Sequence, residues 1–251
     1  MAVPGRSLLD LTFIYNTRRL NRGLLFYFIY KTYAQFYMAK QIVIMDYGHS
    51  SVDPKGGKRS PDRSFYEWQF NRNLGRKITA ALRARGITVE EVVSVAEDNQ
   101  KVSISTRAAR ANAICAKYGT ANCMYVSIHA NAAGNGSWMN ARGWSVFVSK
   151  NSSAASKELA NDIFDAVKAR GFKMRQPAPS QKYWQENFTV IYKTKCKAVL
   201  TESLFYDNKE DLALLKDPAT VQKLCDAHVE GILKFMGVSD SCTCECHKKN
   251  D

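Results

Sequence analysis

The 251-residue sequence lacks the features of several special protein classes. Its 14 glycines and six prolines are too few for a collagen-like repeat, and no internal repeat is visible. The longest unbroken apolar run, residues 24–30, is too short to span a bilayer, which takes about 20 residues. A content of 45% hydrophobic and 24% charged residues excludes a wholly disordered chain and a coiled coil. The composition is that of a globular protein.

Cysteine is present without a legible disulfide pattern. Four of the seven cysteines are scattered through predicted helices and strands, where a free cysteine is usually a small buried hydrophobe. The other three lie near the C-terminus and are followed by His247, without the second pair of ligands that a closed zinc site takes. This usage predicts folding in a reducing compartment.

Acidic residues are fewer than basic ones. Lys+Arg number 36 and Asp+Glu 23, a formal net charge of +13. Such a balance suits a polyanionic partner such as nucleic acid, anionic lipid or an acidic wall polymer, and it equally suits a plain solvated basic surface. We expect no nucleic-acid partner, because no zinc-finger pair, RNA-binding signature or groove-shaped basic helix is visible.

Composition divides the chain into three segments. Residues 1–39 are rich in Tyr, Phe and Arg and lack the Ala-x-Ala cleavage site of a signal peptide. We interpret them as an extension that is disordered or outside the mature domain, so we expect synthesis in the cytoplasm without a signal peptide and no stable membrane span. Residues 40–237 are the predicted folded domain, and residues 238–251 are a short, polar, Cys-rich tail.

Short apolar runs alternate with amphipathic patterns through the folded domain. The sequence predicts strands at 41–45, 87–95, 124–128, 144–148 and 198–201, and helices at 65–85, 103–118, 152–170 and 218–236. This alternation predicts an α/β fold with a mainly parallel or mixed central sheet flanked by helices on both faces.

Two histidines and a carboxylate stand at the ends of predicted strands. His49 and His129 follow two apolar runs directly, and Glu202 ends a third. Ligands of an open α/β sheet bind beyond the carboxyl ends of its strands, so these side chains are expected to converge. Neutral imidazoles and one carboxylate bind zinc tetrahedrally and leave a position for water. Glu67, in the first turn of a predicted helix, adds a second acid to the set, although an acid there also suits the helix dipole.

Four motifs in order make the chain resemble the zinc-dependent N-acetylmuramoyl-L-alanine amidases of the amidase-3 type. The motifs are Asp46-x-Gly-His49, Glu67-x-x-x-Asn71, Ser127-Ile-His129-Ala-Asn131 and Leu200-Thr-Glu202. Arg107, followed by Ala111-Asn112, also matches the pattern of that family. The resemblance runs from about residue 41 to residue 237, nearly the whole predicted domain.

The resemblance implies a sheet of about six strands and an activity: hydrolysis of the amide between N-acetylmuramic acid and L-alanine in peptidoglycan. It implies Zn²⁺ held by His49, Glu67 and His129, with Glu202 as catalytic acid/base. Three neighbouring residues are expected to orient these side chains or contact substrate: Asp46, Arg107 and Asn131. The implied partner is peptidoglycan, on which the enzyme would act at the cell wall after release from the cytoplasm. We expect the protein to be a monomer.

The chain departs from the family pattern in its loops. Tyr47 and Ser50 replace a proline and a glycine, and Leu204 replaces the glycine of the usual Glu-x-Gly-Phe. The segment 130–143 is short and rich in Gly and Asn, which leaves no room for the long helix that blocks the zinc site in some cell-division amidases of this type. We therefore expect an enzyme that is always open and that resembles a phage endolysin acting in lysis.

Two other functions stay open at this point. One is a zinc peptidase or carboxypeptidase built on the same scaffold, which the resemblance disfavours. The other is a wall-binding module that has lost catalysis. The presence of Glu202 argues against such a module, because pure binding does not require an acid at that position.

Overall fold

The computed structural model describes residues 41–52, 58–134 and 136–238. All of them belong to the compact unit Met38–Asp251. The predicted extension 1–39 and the tail beyond residue 238 lie outside the described residues. No helix in the described part of the chain is long and apolar enough to cross a bilayer.

Six strands form one central sheet in the order β2-β1-β3-β6-β4-β5. They are β1 (Ile42–Tyr47), β2 (Thr88–Glu91), β3 (Cys123–Asn131), β4 (Ser145–Val148), β5 (Trp184–Gln185) and β6 (Lys197–Phe205). Neighbouring strands are parallel except β4 and β6, so β4 and β5 run opposite to the other four. Every residue of β1 is buried. Both faces of this strand are therefore covered, which explains why its sequence begins with consecutive apolar residues instead of alternating apolar and polar ones. The predicted α/β fold with a mixed sheet is confirmed.

The helices lie on both faces of this sheet. They are α1 (Glu67–Ala84), α2 (Ile104–Tyr118), α3 (Ala154–Ala169), α4 (Thr189–Tyr192), α5 (Lys209–Lys216) and α6 (Pro218–Phe235). The Tyr47 hydroxyl contacts Thr79 of α1, whereas the preceding Asp46 contacts Arg107 of α2. Because successive side chains of a strand point to opposite faces, α1 and α2 cover opposite faces. Helix α6 packs with both α1 and α3, and α4 packs with α2.

The short elements of the second half differ from the sequence expectation. Strand β5 and helix α4 were not predicted, because two and four residues are too short to show a period. Helix α5 was not predicted either, although Asn208 caps it by accepting hydrogen bonds from the Glu210 and Asp211 N–H groups. Strand β6 continues past its predicted end, and Leu204 has a φ of 63° where the resembled amidases have glycine. A branched, buried side chain thus occupies a left-handed backbone position.

A third histidine belongs to the core rather than to the site. His228 of α6 is fully buried, with Nδ1 2.7 Å from the Leu224 carbonyl and Nε2 3.1 Å from the Thr201 hydroxyl. A carbonyl only accepts, so Nδ1 carries the hydrogen and Nε2 accepts from Thr201. Burial lowers the pKa of His228 from 6.5 to about 4, so the ring stays neutral near neutral pH.

We expect the free energy of unfolding to fall by about 2 kcal/mol between pH 7 and pH 5 through His228 alone. The unfolded chain takes up a proton near pH 6.5, whereas the folded ring resists protonation until about pH 4. Acid therefore favours the unfolded state in this window. Urea unfolding at the two pH values measures the loss. The variant His228→Gln has no ring to titrate and should lose about 2 kcal/mol less over the same interval; equal losses would contradict the assignment.

Candidate metal centre

Two histidines and a buried glutamate meet at the carboxyl ends of β1 and β3. His49 follows β1, His129 lies near the end of β3, and Glu67 is the first residue of α1. The Glu67 Oε1 atom is 3.3 Å from His49 Nε2 and 3.1 Å from His129 Nδ1. The imidazole rings are nearly perpendicular, with centroids 5.2 Å apart. The structure therefore brings together the three side chains that the resemblance implied as ligands.

Backbone geometry places the two rings. His49 has a left-handed backbone with φ 60°, a region in which histidine is enriched among non-glycine residues. Gly48 donates its N–H to the Ile128 carbonyl at 3.0 Å, which ties the turn to β3. A Cβ atom on Gly48 would lie 2.2 Å from Cε1 of His129. Only a residue without a side chain allows the turn to approach that ring.

Two buried arginines hold the carbonyl groups of this turn. Arg107 donates to the carbonyls of Tyr47 at 2.5 Å and His49 at 3.0 Å. Arg72 donates to the carbonyls of Gly48 at 3.2 Å and His49 at 2.9 Å. Three successive carbonyls thus accept charge-assisted hydrogen bonds, which are stronger than neutral ones. Arg72 was missed by the sequence analysis, because it lies off the i, i+4 apolar spacing of α1 and in none of the quoted motifs.

Each of these arginines has an acidic partner. Asp46 is fully buried and accepts from Arg107 at 2.6 Å and from the Ser127 hydroxyl at 2.7 Å. Burial raises the pKa of Asp46, but Arg107 and the Ser127 hydrogen bond outweigh it and the pKa falls below its usual value. Asp98 accepts from Arg72 at 2.7 Å. Asp46 and Arg107 were predicted to orient ligands or contact substrate. In the structure, Arg107 donates hydrogen bonds to the turn that carries His49, and Asp46 pairs with Arg107.

The hydrogen bonds of Glu67 keep it ionised. Its Oε1 accepts from the Asn71 amide and the Ala130 N–H, each at 3.3 Å, besides the two histidines. Burial raises the pKa of Glu67, but the hydrogen bonds with His129 and His49 outweigh burial. The net effect lowers the pKa to about 2. The buried position opposite two imidazoles therefore holds a full negative charge at neutral pH.

Glu202 lies next to the two histidines and Glu67, and its pKa is shifted in the opposite direction from that of Glu67. It pairs with His129 in the register of β3 and β6, so the two side chains share one face of the sheet. Its Oε2 atom is buried without a hydrogen-bond partner in the described part of the chain. Burial and the charge of Glu67 raise the pKa of Glu202 well above its usual range, against a smaller lowering by Lys58. Two neighbouring carboxyls with pKa values pushed apart are typical of acid/base sites.

The donor set fits a zinc ion. Zinc binds imidazole nitrogen and carboxylate oxygen at about 2.0–2.2 Å in tetrahedral sites, so two of its ligand atoms lie about 3.3 Å apart. The two distances from Glu67 Oε1 match that spacing, and all three ligand atoms lie within 4.8 Å of one another. Calcium takes six to eight oxygens, which this set does not offer. Three protein ligands leave a position for water, as in catalytic zinc sites.

The candidate centre lies in a cleft of about 1100 Å³. Asn131, predicted to orient a ligand or contact substrate, lines the wall of the cleft, and its side chain accepts from the Ala132 N–H at 2.9 Å. The connection between β3 and β4 forms part of that wall and contains no helix in its described residues. The Asp207 carboxylate fixes the connection by accepting from Ala133 and Gly134, each at 2.8 Å.

Comparisons with known proteins agree with this geometry. The profile of a family described as N-acetylmuramoyl-L-alanine amidase, Amidase_3, matches residues 43–234. The chain is 27% identical to the endolysin of Bacillus phage SPP1 over 218 residues, which cover 84% of this chain and 72% of that protein. It is 25% identical to the probable cell wall amidase LytH of Staphylococcus aureus over 190 residues, 76% of this chain and 56% of that protein.

Solved amidase structures share the fold. The N-acetylmuramyl-L-alanine amidase Ami1 of Mycobacterium smegmatis superposes with a TM-score of 0.68 at 25% identity, covering 80% of this chain and 98% of that one. The catalytic domain of CwlV, an N-acetylmuramoyl-L-alanine amidase from Bacillus (Paenibacillus) polymyxa, gives 0.65 at 25% identity, covering 79% and 99%.

We expect Gly48→Ala to weaken zinc binding about 10- to 100-fold, the usual cost of disturbing the groups that position a ligand. The added Cβ would lie 2.2 Å from the His129 ring, so the ring or the turn must move. Zinc titration against a competing chelator measures the change. The control is Gly134→Ala in the same cleft, whose Cβ would come close only to the flexible Met139 side chain, at 2.9 Å, and would be in ordinary contact with Asp207 Oδ2 at 3.6 Å. Equal affinity of Gly48→Ala and the wild type would contradict the proposed role of the close approach.

Proposed function

The chain belongs to the N-acetylmuramoyl-L-alanine amidase family, and from that premise we propose a zinc-dependent reaction at the candidate centre. The bond cut is the amide between N-acetylmuramic acid and the L-alanine of the stem peptide in peptidoglycan. His49, Glu67 and His129 would hold the ion, and Glu202 would be the catalytic acid/base. The observation that carries the proposal is a charged Glu67 in contact with two imidazoles, beside a Glu202 without a hydrogen-bond partner among the described residues.

The metal would supply what an amide hydrolysis lacks, namely a more acidic water and a polarised carbonyl oxygen. Glu202 is then the residue that transfers protons in the reaction. Glu202 lines the cleft, and its Oε2 has no competing hydrogen bond in the described part of the chain, so the carboxylate can accept a proton from the attacking water. The same carboxyl group returns that proton to the nitrogen of the leaving L-alanine, which must be protonated to depart as an amine.

The other polar residues keep these groups in place. Glu67 accepts hydrogen bonds from the Asn71 amide and the Ala130 N–H, which fix its carboxylate against both histidines. Arg72 and Arg107 hold the turn that carries His49. A site fixed in this way needs little rearrangement when the substrate binds.

We propose that the enzyme acts on the cell wall in lysis. The SPP1 relative is an endolysin, and the cleft wall between β3 and β4 contains no blocking helix in its described residues. Lys58, Arg59 and Lys101 line the cleft and give it positive charge toward the carboxylates of stem peptides.

We expect His129→Ala to lose zinc. Removing one ligand leaves two protein donors, fewer than the three that catalytic zinc sites use. Elemental analysis of purified protein after dialysis measures the metal, with His228→Gln as a histidine variant away from the cleft that should keep it. Full occupancy in His129→Ala would overturn the ligand assignment.

We expect Glu202→Gln to keep zinc and to lose about 10²- to 10⁴-fold in turnover, the contribution of a general acid/base. Hydrolysis of purified peptidoglycan measures the rate, and the masses of the released fragments identify the bond. Free stem peptides beginning at L-alanine support an amidase, whereas cleavage within the stem would support a peptidase. Wild-type turnover in Glu202→Gln would exclude the acid/base role.

A further inference from the structure

A partly exposed aromatic surface continues from the cleft along the sheet. Phe188 lines the cleft, and its ring centroid is 5.2 Å from that of Phe147. The Phe147 ring is stacked against Trp184 at 6.4 Å, and the Arg175 guanidinium lies 5.7 Å from the Trp184 centroid. We call these four residues the aromatic strip.

The strip lies on the same face of the sheet as the catalytic groups. Ser145 pairs with Glu202 across β4 and β6, and Phe147 is two residues further along β4, hence on the same face. Phe147 also pairs with Trp184 of β5, which extends the strip to the edge of the sheet. On the opposite face Val146 is fully buried, whereas Phe147 and Trp184 are partly exposed. This end of the sheet is therefore well covered on one face only.

The strip is held rigidly. The Trp184 indole N–H donates to the Arg175 carbonyl at 3.2 Å, and the Arg175 N–H donates to the Trp144 carbonyl at 2.8 Å. The Glu186 N–H donates to Val148 of β4 at 2.9 Å, which fixes the chain between Trp184 and Phe188. Phe188 nevertheless leaves 39% of its surface exposed. A preorganised apolar surface costs little entropy when a ligand covers it.

We propose that the aromatic strip binds the sugar strand of peptidoglycan next to the muramic acid whose amide is cut. This inference rests on the proposed function, since it assigns a further part of the same polymer to this chain. Sugar rings carry faces of C–H groups that pack on aromatic side chains, and the sugars are uncharged. The charged stem peptide is better suited to the wall with Lys58, Arg59 and Lys101. The strip has one cation, Arg175, and three apolar rings, so it fits the neutral sugar strand better.

Binding to β-1,4-linked N-acetylglucosamine oligomers tests the proposal with the full chain and without any reaction, because these strands lack the free carboxylate that removal of a stem peptide leaves on muramic acid. We expect the wild type to bind these strands in calorimetry and Trp184→Ala to bind about tenfold more weakly, as for an aromatic anchor. Trp184→Phe should keep most of the affinity because it retains a ring. The matched control is Tyr192→Ala, an aromatic with 53% of its surface exposed that lies outside the strip and should bind like the wild type.

Phe188→Ser gives a second variant at an exposed position, which guards against misfolding of Trp184→Ala, and it should also weaken binding. Unchanged affinity in both variants would overturn the proposal and leave the strip as a cover for the sheet edge. So would a wild type that binds free stem peptides but no sugar strands.

Kinetics separate this proposal from the proposed function. We expect the ratio of kcat/KM on long strands to kcat/KM on a single muramyl peptide to fall about tenfold in Trp184→Ala, through KM. An unchanged ratio would count against the strip. A wild type with no amidase activity on either substrate would overturn the proposed function instead, and the binding comparison would then decide the strip by itself.

Discussion

The site depends on a left-handed turn that two buried guanidinium groups hold in place. His49 has a φ of 60°, and its carbonyl accepts from both Arg72 and Arg107. A strained backbone of this kind persists only where the surroundings determine it, and here charge-assisted hydrogen bonds from two helices do so. Each arginine is itself paired, with Asp98 or Asp46, so neither charge is buried alone. Loss of any member would release the turn that places the histidine.

The proposed chemistry depends on two glutamates whose surroundings push their pKa values apart. Glu67 is surrounded by donors and stays ionised, as a metal ligand must. Glu202 has a buried oxygen without a donor in the described part of the chain and keeps a high proton affinity, as an acid/base requires. The same residue type therefore suits two roles because the neighbours differ. A bound dication would lower the pKa of Glu202 toward the operating pH.

Two parts of the cleft wall differ in the chemistry of their side chains. Lysine and arginine side chains line the part near α1 and α2, where a charged peptide would be attracted. Aromatic rings continue from Phe188 in the cleft wall toward the sheet edge, where uncharged sugars would pack. The connection after β3 is fixed by Asp207 and carries no helix in its described residues. This arrangement suits an enzyme that meets a polymer rather than a small molecule.

The sequence by itself determined the local features of this protein. Apolar runs predicted the central strands, spacing by four predicted α1, and residue types at strand ends indicated His49 and His129, because these signals repeat over a few residues. Only the tertiary structure decided that Arg72 supports the His49 turn, that Glu202, expected at the same edge, pairs directly with His129, and that three rings form a strip. These features depend on strand order and register between segments far apart in the chain, which local patterns do not encode.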